Sequence, residues 1–235
     1  DKQDNINRDT LIKLEWFYLP LLASYGNRRN PKILHEELAT NTDFFIDILK
    51  CLYKSKNESI AEQESKDVDE SQAQNRARRA YELLNGWKKI PGIDEQNNIN
   101  KEILTSWIKD VRKKADECSR LDVADMHIGK ILAQYPEESE NWPPEEIGEI
   151  IEQINTDSLK NSFSSALFNK RGSSTRGAFD GGDIERGHAK YFENLAENNK
   201  NKFPRVSAIF SRLAKGYYED AKRMDNRAKI DRLNY

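Results

Sequence analysis

The chain has 235 residues, enough for one large domain or two small ones with a real buried core; 37% are hydrophobic and 33% charged, a polar balance suited to many small amphipathic elements. A net charge of −2 excludes a global attraction for nucleic acid or anionic lipid, and no apolar run approaches the length of a membrane span. The two cysteines, Cys51 and Cys118, lie far apart inside helical apolar patterns and read as small buried apolar residues of a reducing, cytoplasmic compartment, not as a disulfide.

The opening "DKQDNINRDT" has neither an initiator methionine nor a leader, and reads as the interior of a longer protein. From there the helical period dominates and alternation with period two is nearly absent. The first helix spans about 10–24, with Leu11, Leu14, Tyr18, Leu21 and Tyr25 on its inward face and a kink expected at Pro20. Asn30 is expected to cap a short second helix with Pro31 in its first position, and a third starting at Thr42 carries Phe45, Ile48, Leu49 and Leu52 inward. The acidic stretch 55–72, "SKNESIAEQESKDVDESQ", has too little apolar surface to offset ordering entropy. It reads as a mobile linker or a frayed helix start, between an N-terminal three-helix segment, 1–54, and a domain of about seven helices, 73–235.

Beyond it, Ala77, Ala80, Leu84 and Trp87 mark one helix, and the loop after it ends at Asn100, the expected cap of the next. That helix buries Leu104, Trp107, Ile108, Val111, Ala115 and Cys118. Leu121, Ala124, Ile128, Ile131 and Tyr135 follow in another, stopped by Pro136. After the acidic loop "EESENWPPEE" come Ile147, Ile150, Ile151 and Ile154, then Leu159, Phe163, Ala166 and Leu167 on a helix starting after Thr156. Two further helices align Ile184, His188, Tyr191, Phe192 and Leu195 over about 183–199, and Val206, Ile209, Phe210, Leu213, Tyr217, Ala221, Met224 and Ala228 from Pro204 onward. The expectation is an all-α fold of about ten helices in antiparallel hairpins. It is either an irregular bundle or a short solenoid of the tetratricopeptide or HEAT kind, although no fixed repeat recurs.

Candidate chemistry is thin. Residues 168–187, "FNKRGSSTRGAFDGGDIERG", place glycines and arginines before a helix, but no strand precedes them and no Lys-Ser pair follows, so neither a P-loop nor a dinucleotide fingerprint is present. Arg171, Arg176, Arg186 and His188 around a helix N-terminus nonetheless make a candidate anion or nucleotide pocket. The simpler reading has Gly172 ending one helix, Asp183 capping the next and a turn between. Trp142, in a polar proline-bearing loop, is a candidate partner-binding anchor that could also fold back onto the helix after it. His35, His127 and His188 are too scattered for a metal site, and no cofactor pattern occurs. The basic final helix is a weak candidate nucleic-acid face, lacking the interleaved aromatic residues that stacking needs.

Two resemblances follow. Arg29–His35 and Arg120–His127 resemble the arginine-then-histidine spacing of all-helical ribonucleases of the HEPN type, in which the histidine is the general base and the arginine stabilises phosphate charge; Pro31 interrupts the first pair. "LEWFYLPLL", "LHEELATNTDFFIDILKCLYKSKNE" and "SFSSALFNKRG" resemble the C-terminal helical region of very large bacterial multidomain proteins, over most of the chain. That resemblance implies a cytoplasmic bacterial context beside another module, with phage defence among the roles of such proteins, and brings no catalytic residues. The functional expectation is a non-catalytic helical interaction, scaffold or sensor module whose partner is another protein or another part of the same parent chain. A metal-independent ribonuclease and an anion sensor are the alternatives.

Overall fold

The structure, a computed structural model, describes residues 7–24, 30–65, 69–137, 142–172, 177 and 180–233. Among them are eleven helices and no strand, so the chain is all-α; Ile93 and Ile99 form an isolated antiparallel bridge in the loop before Asn100. The chain divides into two compact units, Asp1–Ile131 and Leu132–Tyr235. The division falls near the end of a helix, not in the acidic stretch 55–72. That stretch carries a helix over Glu58–Ser65 where a linker or a frayed helix start was expected, and the buried Arg120 anchors it through Glu64.

The first unit holds α1 (Arg8–Ser24), α2 (Lys32–Thr40), α3 (Thr42–Leu52), α4 (Glu58–Ser65), α5 (Glu70–Gly86), α6 (Lys101–Glu117) and most of α7 (Leu121–Leu132). Helix α3 packs on α2, α5 and α6, while α1 lies on α2 and α5. Phe45 of α3, Trp87 just beyond α5 and Trp107 of α6 meet with ring centroids 5.1 to 5.9 Å apart, and the Trp107 indole donates to the Leu38 carbonyl at 3.2 Å. Each such aromatic pair adds roughly 0.5–1.5 kcal/mol to the area it buries. Asn41, Asp69 and Asn100 each cap the helix that follows through a side-chain oxygen. Helix α2 differs from expectation. It starts at Lys32 with Pro31 in the cap position, which offers no side-chain acceptor, and the Glu15 carboxylate of α1 takes the Leu34 N–H instead, at 2.9 Å.

The second unit is α8 (Glu145–Ile154), α9 (Asp157–Lys170), α10 (Asp183–Asn199) and the 30-residue α11 (Pro204–Leu233). Helix α11 packs on all three others, which makes this unit a bundle around one long helix and not a repeating stack. Thr156 caps α9 at its start, and Gly172, with φ +69°, follows the C-terminal cap residue Arg171 in the left-handed conformation that glycine tolerates. The inward face of α10 differs in part from the expected one. Phe192 and Leu195 face inward as expected, joined by Glu185, Ala189, Ala196 and Asn199, whereas Ile184 and Tyr191 are exposed. A carboxylate stands at the core position that the isoleucine next to it was expected to fill. The cysteines are free and half-buried, not buried as expected. No described helix is long and apolar enough to cross a membrane.

Candidate functional site

The glycine-rich entry to α10 is built against α11. A side chain at Gly182 would place its Cβ 2.4 Å from the Ala221 carbonyl oxygen, so only glycine lets the chain pass there. Gly182, not Asp183, occupies the cap position, and its N–H donates to Asp225 Oδ1 at 2.8 Å. Arg186 donates to Asp225 Oδ2 at 2.8 Å and to Asp183 Oδ1 at 2.6 Å. The guanidinium and the amide hold the Asp225 carboxyl below its ordinary pKa, and the two carboxylates raise that of Arg186. An anion does sit at this helix N-terminus, and it is a side chain of the same chain.

The other candidates for that pocket lie elsewhere. The Arg171 guanidinium is 4.3 Å from the Phe168 ring centroid, 5.5 Å from that of Tyr217, and 3.9 Å from the Glu185 carboxylate. His188 stacks on the other shared neighbour, Tyr217, with centroids 5.2 Å apart. Arg176 is outside the described residues. Arg171 and His188 therefore share one aromatic ring while Arg186 is spent on Asp183 and Asp225, and the expected convergence on one free anion is absent among the described residues.

Both histidines of the ribonuclease-like pairs are in the core. His127 is 5% exposed and hydrogen-bonds the Tyr53 hydroxyl through Nε2 at 3.1 Å; His35 is 7% exposed and its Nε2, beside Gly86, has no hydrogen-bond partner. Desolvation lowers each from 6.5 to about 4, helped for His127 by the charge of Lys130 and opposed for His35 by a hydrogen bond to the Leu83 backbone. Arg120, also buried, donates to the carbonyls of Tyr53 and Cys118, each at 2.9 Å, and to the Glu64 carboxylate of α4. It ties the acidic stretch to the body of the first unit. Arg29 is outside the described residues. Burial keeps both imidazoles from a substrate, and Arg120 is already engaged by two carbonyls and the Glu64 carboxylate.

Trp142 is likewise interior, at 1% exposed. Its indole stacks on Phe163 at 5.7 Å and tilts against Phe210 at 5.6 Å, and Asn199 donates to its carbonyl at 2.9 Å. It anchors the entry to α8 and presents no surface to a partner.

Two open grooves lie among the described residues. One, of about 620 Å³, runs along α6 past Thr42, Glu102, Ser106 and Asp110; beside it, Lys114 Nζ is 2.7 Å from Asp43, 2.8 Å from Thr42 Oγ1 and 2.9 Å from Asp110. Those contacts satisfy the ammonium, and the Thr42 hydroxyl, which donates to Asp110, together with Lys114 lowers the Asp110 pKa, pinning the start of α3 to α6. The other, about 490 Å³, is the crease between α10 and α11. No group of three or more metal-ligating side chains occurs among the described residues.

The feature that sequence reasoning misplaced is on α1. Leu14, Phe17, Tyr18 and Leu21, at i, i+3, i+4 and i+7, are 44%, 63%, 48% and 56% exposed. Leu14, Tyr18 and Leu21 were expected inside. The helix is held from its opposite side instead: Leu19 is buried, Glu15 binds the Leu34 amide, and Arg8 donates to Glu37 at 3.1 Å. The signal was present, since "LIKLEWFYLPLL" is apolar nearly all the way round, and such a helix has two faces to bury rather than one. Comparison with known protein families, curated proteins and solved structures finds nothing that matches this chain.

Proposed function

We propose that the chain is a non-catalytic helical interaction module, and that α1 is where it docks. The observation that carries this reading is the exposed stripe of Leu14, Phe17, Tyr18 and Leu21. Isolated exposed apolar residues are ordinary on any protein, but four large ones on consecutive turns of one face are the composition of an interface. The rest of the molecule agrees in character. Its charged clusters around Arg120, Lys114 and Arg186 are closed on their own carboxylates and carbonyls, so they act as staples of the fold. On the resemblance drawn from sequence, the module serves a larger bacterial protein of the cytoplasm, as a scaffold or sensor. Its partner is another protein or a further part of that parent chain.

The test is a photo-crosslinking residue placed at Tyr18, compared with the same residue at Lys190, an exposed position on α10. The reading expects a discrete adduct in the source cell from Tyr18 alone, lost when Leu21→Ser is added. No adduct at Tyr18, or equal adducts at both positions, removes α1 as a docking face.

A further inference from the structure

From the charges beside the stripe we infer the chemistry of its occupant: an amphipathic α-helix that carries carboxylates along one edge of its apolar face. This rests on α1 being a docking face and goes on to say what fits it. Spacing comes first. Side chains at i, i+3, i+4 and i+7 form a ridge along a helix, and the surface that interdigitates with such a ridge is that of a second helix; an extended strand presents its side chains with period two.

The charges then choose the edge. Lys13, four residues before Phe17, lies on the Phe17 side of the stripe by helical spacing. From α5, the Arg79 guanidinium sits 5.7 Å from the centroid of that same Phe17 ring. Neither cation pairs with a carboxylate among the described residues: not Lys13 with Asp9 one turn back, nor Arg79 with Glu82 three residues on. The Arg79 Nε is buried without an acceptor. By contrast, the charged groups toward the body of the unit, Arg8 and Glu15, are satisfied internally. One edge of the stripe therefore offers an aromatic ring flanked by two unanswered cations, and a partner carboxylate laid there gains charge-assisted hydrogen bonds while the stripe buries its apolar face.

Other occupants fit less well. Helices that lie on anionic membranes carry a polar face rich in lysine and arginine, whereas the charges of α1 are Arg8, Lys13, Asp9 and Glu15, with no basic excess. A second copy laid antiparallel on the same stripe sets the two cationic edges against each other.

The experiment uses two labelled synthetic helices of about three heptads with identical leucine and isoleucine stripes, one with glutamates along one flank and the other with lysines there. Fluorescence anisotropy should show the glutamate peptide binding at least about tenfold tighter at low salt, with the gap closing as salt rises. Lys13→Gln combined with Arg79→Gln should erase that preference but leave residual binding, and Phe17→Ser with Leu21→Ser should remove binding of both peptides. Equal affinity through an intact stripe overturns the acidic edge and leaves the docking face standing. If neither peptide binds, the helix-docking inference is overturned, whereas the docking reading stands or falls by the crosslink at Tyr18. Two results would give the stripe another occupant and also overturn the inference: capture by phosphatidylglycerol vesicles, or self-association in sedimentation, if abolished by Phe17→Ser with Leu21→Ser.

Discussion

Trp142 and Phe17 exchange the places that their surroundings in the sequence suggest. Trp142 stands among prolines and acids, in a stretch that reads as surface loop, and is one of the largest fully buried side chains of the protein. Phe17 stands among leucines, in a stretch that reads as core, and is the most exposed large hydrophobic residue among the described residues. The difference lies in what each can face. Trp142 has Phe163 and Phe210 on two sides and Asn199 to bind its carbonyl, so its side chain is part of the second unit's core. Helix α1 has apolar groups on both faces, and α2 with α5 can cover only one of them. Local composition measures how much apolar surface an element has, not how many neighbours are available to cover it.

The sharpest way to break this comparison is to remove the tryptophan. Trp142→Ala should cost about 3–5 kcal/mol, the usual range for truncating a fully buried aromatic side chain. Urea denaturation followed by far-ultraviolet circular dichroism measures it. A loss under about 1 kcal/mol, typical of a surface site, would mean that the residue is not interior in solution.

Acid should separate the two units next. His35 and His127 are buried in the first, with pKa lowered from 6.5 to about 4, while the second unit's His188 is only half-buried. Between those two values the unfolded chain binds protons that the folded chain refuses. The stability these neutral histidines contribute is therefore complete above pH 6.5 and is lost as pH falls toward 4, by up to about 1.4 kcal/mol per pH unit for each. Hydrogen exchange read peptide by peptide at pH 7 and pH 5 should show protection falling first in α2, α5 and α7. Equal loss in α8 to α11 would contradict the assignment, and His127→Gln should flatten part of the slope.

How much of this was legible follows the same division. The class, most helix positions and several caps, such as Asn100 and Thr156, were readable because period and capping are local. The inward place of Glu185 in α10 was not, because it is set by groups distant in sequence, among them Arg171 just after α9, 3.9 Å from its carboxylate. Helix α4 was hidden for a like reason, its anchor being Arg120, 56 residues away from Glu64. The helix N-terminus does attract a carboxylate, but nothing near residues 168–187 announced that Asp225 would supply it. Long-range pairings decide these cases, and one sequence does not display them.

Glycines give a smaller and more pointed comparison, between packed and open backbone. A Cβ at Gly148 on α8 would lie 2.6 Å from the Phe203 ring, whereas one at Gly216 on α11 meets nothing within 4 Å. Gly148→Ala should therefore destabilise by about 1–3 kcal/mol through overpacking. Gly216→Ala should stabilise by roughly 0.5–1 kcal/mol, since a glycine inside a helix loses more backbone entropy on folding than alanine does. Thermal melts of the two single variants, shifting in opposite directions, would locate Phe203 over α8. Shifts of the same sign would undo that placement.

The smallest effect is the one that most directly tests α1. Phe17→Ser and Leu21→Ser remove large apolar groups from a helix in the apolar core of no neighbour, because 63% and 56% of each residue is already in water. Little burial is lost, serine and phenylalanine have similar helix propensity, and the contact of Arg79 with the Phe17 ring is worth about 0.5–1 kcal/mol at an exposed site. Each variant should thus change unfolding free energy by no more than about 0.5–1 kcal/mol, with Leu21→Ser nearer zero. Binding of a hydrophobic dye should meanwhile fall, since the stripe is the surface that dye would find. A loss of several kcal/mol from either variant would place these side chains inside the fold. The apolar face of α1 would then be part of the first unit's own core, and the docking role proposed for it would fail along with the exchange of places between Phe17 and Trp142.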